Sequence, residues 1–181
     1  MPAFLFLIVM RRILAVIIAS LVLACSSKET AAPILYEGPI SEGENIFMQH
    51  TEKEKIKLVL KAKKYLEFQN GDREFPEGIY IEFYDDQGRL TSTLKANHAF
   101  FFKGDNKWRG RGNVEVINVE KKEQLNTEEL FWKPDTRKIF TEKFVTIRME
   151  SEVLYGTGLD AAEDLSTYKI SKPEGEFDVK D

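Results

Sequence analysis

The sequence predicts an all-β domain, a sandwich or a barrel-like roll, behind a short apolar leader. Three observations carry that expectation. Hydrophobic residues alternate with period two through most of the chain after residue 45, and tight-turn signals fall between the alternating runs. No stretch of that region sustains a 3.6-residue period with caps at both ends.

The leader ends in "RRILAVIIASLVLACSS", residues 11–27, on the only cysteine in the chain. Arg11 and Arg12 precede twelve residues, Ile13 to Ala24, that are apolar except for Ser20. A basic start, a short apolar run and a small residue before the cut make a secretory signal. Twelve residues fall short of the roughly 20 that a spanning helix needs. Val22, Leu23, Ala24 and Cys25 resemble the lipobox of bacterial lipoproteins, which implies cleavage before Cys25 and acylation (a palmitate-type chain) of its sulfur. Residues 1–24 are therefore read as a signal peptide and Cys25 as a lipid anchor. Met10 begins a conventional signal by itself, so translation starts at Met1 or at Met10.

Residues 25–45 are rich in small, polar, Pro and Gly residues and read as a flexible tether after the lipidated cysteine. The folded domain is expected over 46–172. "KIKLVLKAK" places Ile56, Leu58, Leu60 and Ala62 on one side and lysines on the other, as a strand or, alternatively, a short helix. "GIYIEFYD" aligns Ile79, Ile81 and Phe83; "RLTSTLKA" aligns Leu90, Leu94 and Ala96; "KFVTIRM" aligns Val145, Ile147 and Met149. Turn signals "QNGD" at 69, "DDQG" at 85, "KGDN" at 103 and "KPDT" at 133 separate these runs. From Ala96 to Ala161 strands and turns follow one another as a meander, and eight or nine strands are expected in all. The last residues, 173–181, begin with Pro and are acidic, so a mobile tail is expected there.

Composition narrows the function. The net charge is −4, and the leader removes two arginines and no acid, which argues against a nucleic-acid partner. The two histidines, His50 and His98, carry no metal-ligand spacing, so no cofactor or metal is expected. Glu128 and Glu129 are adjacent, and adjacent strand residues face opposite ways, so they cannot flank one glycosidic bond. "RGRGN" and "GTG" open no helix and read as bulges rather than phosphate cradles. An enzyme is not expected. Thirteen phenylalanines, several in "AFFF" and "LFW", mark either an aromatic core or the lining of a lipid-sized groove.

The run "GRGNVEV … EQLNTEELFW … RKIFTEKFVTIR … EVLYGTGLDA" resembles the LptC family of lipopolysaccharide export proteins and the related OstA/LptA-type β-roll modules. The matching pieces are Gly112-Asn113-Val114, Leu125 with Thr127, Leu130 with Trp132, Val145 with Ile147, and Gly156 with Gly158-Leu159, within roughly Ile79 to Ile170. The resemblance implies an elongated open β-jellyroll whose V-shaped lumen holds acyl chains. It also implies lipopolysaccharide transport: a membrane-anchored periplasmic bridge component receives the glycolipid from an inner-membrane ABC transporter (LptBFG-like). It then passes the glycolipid along a continuous β-sheet, by way of a periplasmic LptA-like bridge protein, to the outer membrane. Better-known members keep a transmembrane helix where this chain has "VLAC". The expected location is the periplasmic face of the inner membrane, with outer-membrane placement as the alternative. On this reading Ile79, Ile81, Phe83, Leu94, Phe101, Val114, Val116, Leu130, Trp132, Val145 and Ile147 line the lumen. Tyr155, Gly156, Gly158 and Tyr168 form the partner edge, with Gly156 and Gly158 sharing one face and Tyr155 and Leu159 the other. The competing function is a cell-envelope lipoprotein scaffold for outer-membrane protein assembly.

Overall fold

The computed structural model describes residues 36–175, and its strands all lie in the unit Glu37–Asp181. Eleven strands form one antiparallel sheet, joined by short turns and a single 3-10 turn, Pro134–Thr136. The fold is all-β, as the period-two alternation predicts, and consistent with the jellyroll that the resemblance implies.

Strands β1 (Ser41–Glu52) and β2 (Lys55–Glu67) form a long hairpin. Its two turn residues, Lys53 and Glu54, both have positive φ (48° and 64°), the geometry whose twist matches the flanking strands. β2 is a strand and not the alternative helix because it is paired on both sides. β1 runs along one flank; β3 (Arg73–Phe75) and β4 (Ile79–Tyr84) share the other. β5 (Leu90–Ala96) pairs β4 and β6 (His98–Phe102) pairs β3, and both then pair the long β7 (Lys107–Asn118). From there the chain is a meander: β8 (Glu123–Lys133), β9 (Lys138–Arg148), β10 (Val153–Ala162) and β11 (Tyr168–Glu174). All four predicted turns fall between strands. In one of them the Asp85 carboxylate accepts from the backbone N–H of Gln87 (2.8 Å) and Arg89 (2.9 Å), an Asx-type closure.

A crease crosses the strands. β3 and β4 are separated by Pro76–Gly78, where Gly78 takes φ +88°, and β5 and β6 are separated at Asn97. On the same line β7 carries two residues, Gly112 and Asn113 (φ 70° and 48°), where β8 has one. The register shifts again between β8 and β9, and between β9 and β10 at Gly158 (φ +82°). A bulge sharpens twist and bends its strand, so bulges aligned across neighbouring strands fold the sheet over on itself. Two layers result, with the bulge line at the fold and the turns along the open side. Phe83 of β4 meets Trp132 of β8 edge-on at 5.3 Å. Those strands stand three places apart in the sheet, which would be about 14 Å in a flat one.

Boundaries move at both ends of the domain. Pairing begins at Ser41, inside the expected tether, because Ser41 to Gly43 lie opposite Glu67 to Tyr65. At the other end β11 continues through Pro173 to Glu174 instead of stopping at Lys172. A proline fits there because β11 is an edge strand among the described residues, with no second neighbour there for its missing N–H. Residues 176–181 of the expected tail, and the expected signal peptide and Cys25, lie outside the described residues.

Candidate functional site

The inner face is built of cross-strand rows that run from one sheet edge toward the other. One row reads Met48, Leu60, Ile81, Leu94, Val116, Leu125, Ile147, Leu154, each residue opposite the next across eight consecutive strands. Beside it lie Ile79 opposite Ala96, then Val114, Thr127, Val145 and Gly156 in register. Past the crease, Phe101, Trp108, Trp132 and Ile139 form a further row. Alternation forces this arrangement: with period two, in-register partners put every second side chain on the same side.

Ten of the eleven residues expected to line a lumen are buried in this one core. The eleventh, Phe101, is half-buried at the open side, packed on Trp108 at 4.9 Å with the Arg73 guanidinium over its ring at 5.6 Å. Period-two reading missed Leu125, Phe75, Ile139 and Leu165, all fully or almost fully buried. Leu125 carries the same alternation as Thr127 and was legible. The register shifts with β7 and β9 around Glu128 switch the inward positions of β8 from 125 and 127 to 130 and 132, which no local pattern announces. The aromatic residues divide. Phe75, Phe83, Trp108 and Trp132 face inward, whereas Phe131 stacks on Phe140 (5.3 Å) on the outer face, with the Lys107 ammonium 5.6 Å above Phe131.

The core side chains pack closely. The space between Ile79, Ile81, Leu94, Val114, Leu130 and Trp132 amounts to about 10 Å³, whereas ligand clefts commonly enclose about 300–1,000 Å³.

Among the described residues two strands have a free flank: β1 pairs only β2, and β11 pairs only β10. Of the four expected partner-edge residues, Tyr168 lies in β11, while Tyr155, Gly156 and Gly158 lie in β10, which is paired on both sides. The shared-face expectation for this segment is corrected. The bulge at Gly158 turns Leu159 inward together with Gly156 and leaves Tyr155 outside, 43 % exposed. Nor does Gly156 leave room for a separate chain. A Cβ there would stand 2.5 Å from the Lys172 carbonyl oxygen and 3.0 Å from the Pro173 Cα, so the bare backbone lets β11 itself pack close.

Both histidines and Glu129 sit in ion pairs. His98 contacts Glu74 at 2.8 Å and His50 contacts Glu52 at 3.2 Å. Glu129 pairs with Arg111 at 3.4 Å. Among the described residues no group of His, Cys, Asp or Glu is placed to hold a metal, and no helix is long and apolar enough to cross a membrane. One buried carboxylate stands out. Glu163 accepts from the Trp132 indole Nε1 (2.8 Å) and from Arg137 Nε (2.6 Å), and the bond to Glu163 raises the Arg137 pKa further above its ordinary value.

A sheet folded over an apolar interior defines an all-β fold of the β-jellyroll class. The chain belongs to the lipopolysaccharide-assembly, LptC-related family, whose pattern matches residues 12–172. Its function therefore lies in lipopolysaccharide transport. No curated protein matches the chain.

Proposed function

We propose that this protein is a lipid-anchored bridge component on the periplasmic face of the inner membrane. It takes lipopolysaccharide or a related glycolipid from an inner-membrane ABC transporter and passes it on through sheet-to-sheet contact. The observation that carries this reading is the set of apolar cross-strand rows, the longest of which runs from the edge strand β1 to β10, the neighbour of the other edge strand β11. Edge strands offer unpaired backbone groups, and pairing with a neighbour's strand extends the sheet without any catalytic residue. β11 is the edge assigned to a downstream LptA-like bridge protein and β1 the edge toward the transporter. Cys25 supplies the anchor: two acyl chains hold durably, at about 0.8 kcal/mol per buried CH₂.

The interior supplies the solvent for acyl chains. A chain of some twelve carbons costs on the order of 10 kcal/mol to leave in water, and the rows through Ile81, Val116 and Ile147 offer apolar surface along the whole path. Because those rows are packed together at rest, loading requires the two layers to part. The energy for directed movement comes from the transporter's ATPase.

A photocrosslinking residue at Ile81 in living cells tests this reading. Glycolipid adducts at Ile81 support it, and adducts to unfolded outer-membrane proteins alone would overturn it in favour of an assembly scaffold. Labelling with a palmitate analogue tests the anchor. Wild-type chain should take up label and Cys25→Ala should not; an unlabelled wild type removes the anchor from the scheme.

A further inference from the structure

The turn between β10 and β11, residues 163–167, departs from an ordinary hairpin tip. Tips normally face water, yet Leu165 is completely buried and belongs to the apolar core. It does so at φ +56°, a left-handed conformation in which a branched side chain is strained. Polar groups of the opposite layer latch the turn. Asn118, at the end of β7, donates its amide Nδ2 to the Asp164 carbonyl oxygen at 2.6 Å. Lys121, in the β7–β8 turn, donates its ammonium to the Ser166 carbonyl oxygen at 3.0 Å. Close by, the Tyr168 hydroxyl reaches the Met149 sulfur at 3.5 Å.

β7 and β10 are three places apart in the sheet, so these contacts span the open side of the fold, from the turns of one layer to those of the other. Other turn-to-turn bonds hold neighbours together within a layer, as Asn106 does with Asp135 (2.6 Å) and the Lys103 N–H with Asp72 (2.9 Å). The base of the 163–167 turn is fixed differently. Glu163 is held by Trp132 and Arg137 through its carboxylate, and its N–H bonds to the Arg137 carbonyl oxygen at 3.0 Å. Charge-assisted bonds are the stronger kind, and two of them hold the Glu163 carboxylate at the root. The tip rests on two backbone oxygens, of which only that of Ser166 receives a charged donor, the Lys121 ammonium.

We propose that residues 163–167 form a strap across the open side of the roll, hinged at Glu163. It keeps the two layers closed over a filled interior, and it lifts when an acylated glycolipid is loaded. This rests on the transport reading above and names the element that gates it. A glycolipid cannot put its acyl chains into about 10 Å³, and its sugar head has to remain in water. The layers must therefore part where the turns meet, and the strap joins them there. Withdrawing Leu165 also vacates interior volume at the moment the chains need it.

Two measurements on the full chain test the strap. First, Lys121→Cys and Ser166→Cys are combined in a chain carrying Cys25→Ser, and the pair is bridged by a short cleavable thiol crosslinker. Purified lipopolysaccharide is the probe. The open double variant should bind it, the bridged one at least 10-fold more weakly, and cleavage of the linker should restore binding. Equal binding by open and bridged chains would overturn the strap and leave the transport reading standing. Failure of the open, unbridged chain to bind would overturn the transport reading, and the strap with it. Second, without any lipid, the Leu165 amide, bonded to the Ala162 carbonyl, should exchange its hydrogen at least 100-fold faster than the Val116 amide. Equal protection at the two positions refutes a strap that opens on its own.

Discussion

Replacing Ile81 by alanine separates a packed interior from a standing groove. Ile81 is fully buried in the middle of the longest apolar row, between Leu60 and Leu94. The change deletes three carbons, worth about 2.4 kcal/mol in transfer free energy at about 0.8 kcal/mol per group. The neighbouring void is only about 10 Å³, so the new hole has little pre-existing slack to merge with. Incomplete collapse adds about 24 cal/mol per Å³ of remaining cavity, which brings the expected loss to about 3–4 kcal/mol. At roughly 2–4 °C per kcal/mol for a domain of this size, the melting temperature should fall by about 10 °C. Urea unfolding followed by tryptophan fluorescence reads this directly, since Trp108 and Trp132 sit 6.0 Å apart in the inner aromatic cluster. A loss under about 1 kcal/mol with an unchanged urea slope would refute a packed resting state: the interior would then already be a hydrated groove.

Four further outcomes follow from the same packing. Gly156→Ala places a methyl against the β11 backbone, so amide protection in Tyr168–Glu174 should collapse while β7 to β9 stay protected; uniform protection would contradict the close approach. Glu163→Ala leaves the buried Trp132 N–H without its acceptor, and should cost about 1–3 kcal/mol in urea unfolding, with Glu163→Gln milder because its amide oxygen still accepts. Burial raises the phenols of Tyr65 and Tyr168 above their ordinary value of 10.0. A raised folded pKa means stability that is complete below pH 10 and drains away as pH climbs through the folded values; the urea midpoint should drop above pH 10, and less so in Tyr65→Phe. Finally, Tyr168→Pro should abolish capture of an LptA-like bridge protein by β11, whereas truncation after Gly175 should leave it intact, and the reverse result would move the partner edge off β11.

The strand content was legible because it is a local property. Alternation in "GIYIEFYD" and "KFVTIRM" names Ile79, Ile81, Phe83, Val145 and Ile147 as one-sided, and the structure buries all five. Turn positions were legible for the same reason, since Asn-Gly, Asp-Gly-like and Pro-Asp pairs act within four residues. The turn at Lys53-Glu54 carried no such signature, and there the pairing of β1 with β2 imposes the positive φ. At the partner edge, strict alternation put Leu159 beside Tyr155. One glycine at φ +82° reversed it, because a bulge shifts every later residue to the other face.

The sequence by itself determined an all-β chain with apolar faces, because period and turn chemistry are written in neighbouring residues. Only the tertiary structure decided that the sheet folds along a line of bulges, that β1 and β11 are the strands with a free flank among the described residues, and that Leu165 is buried at the β10–β11 turn. Those features depend on which strands meet across the fold, and contacts such as Asn118 with Asp164 join residues 46 positions apart, beyond the reach of any local pattern.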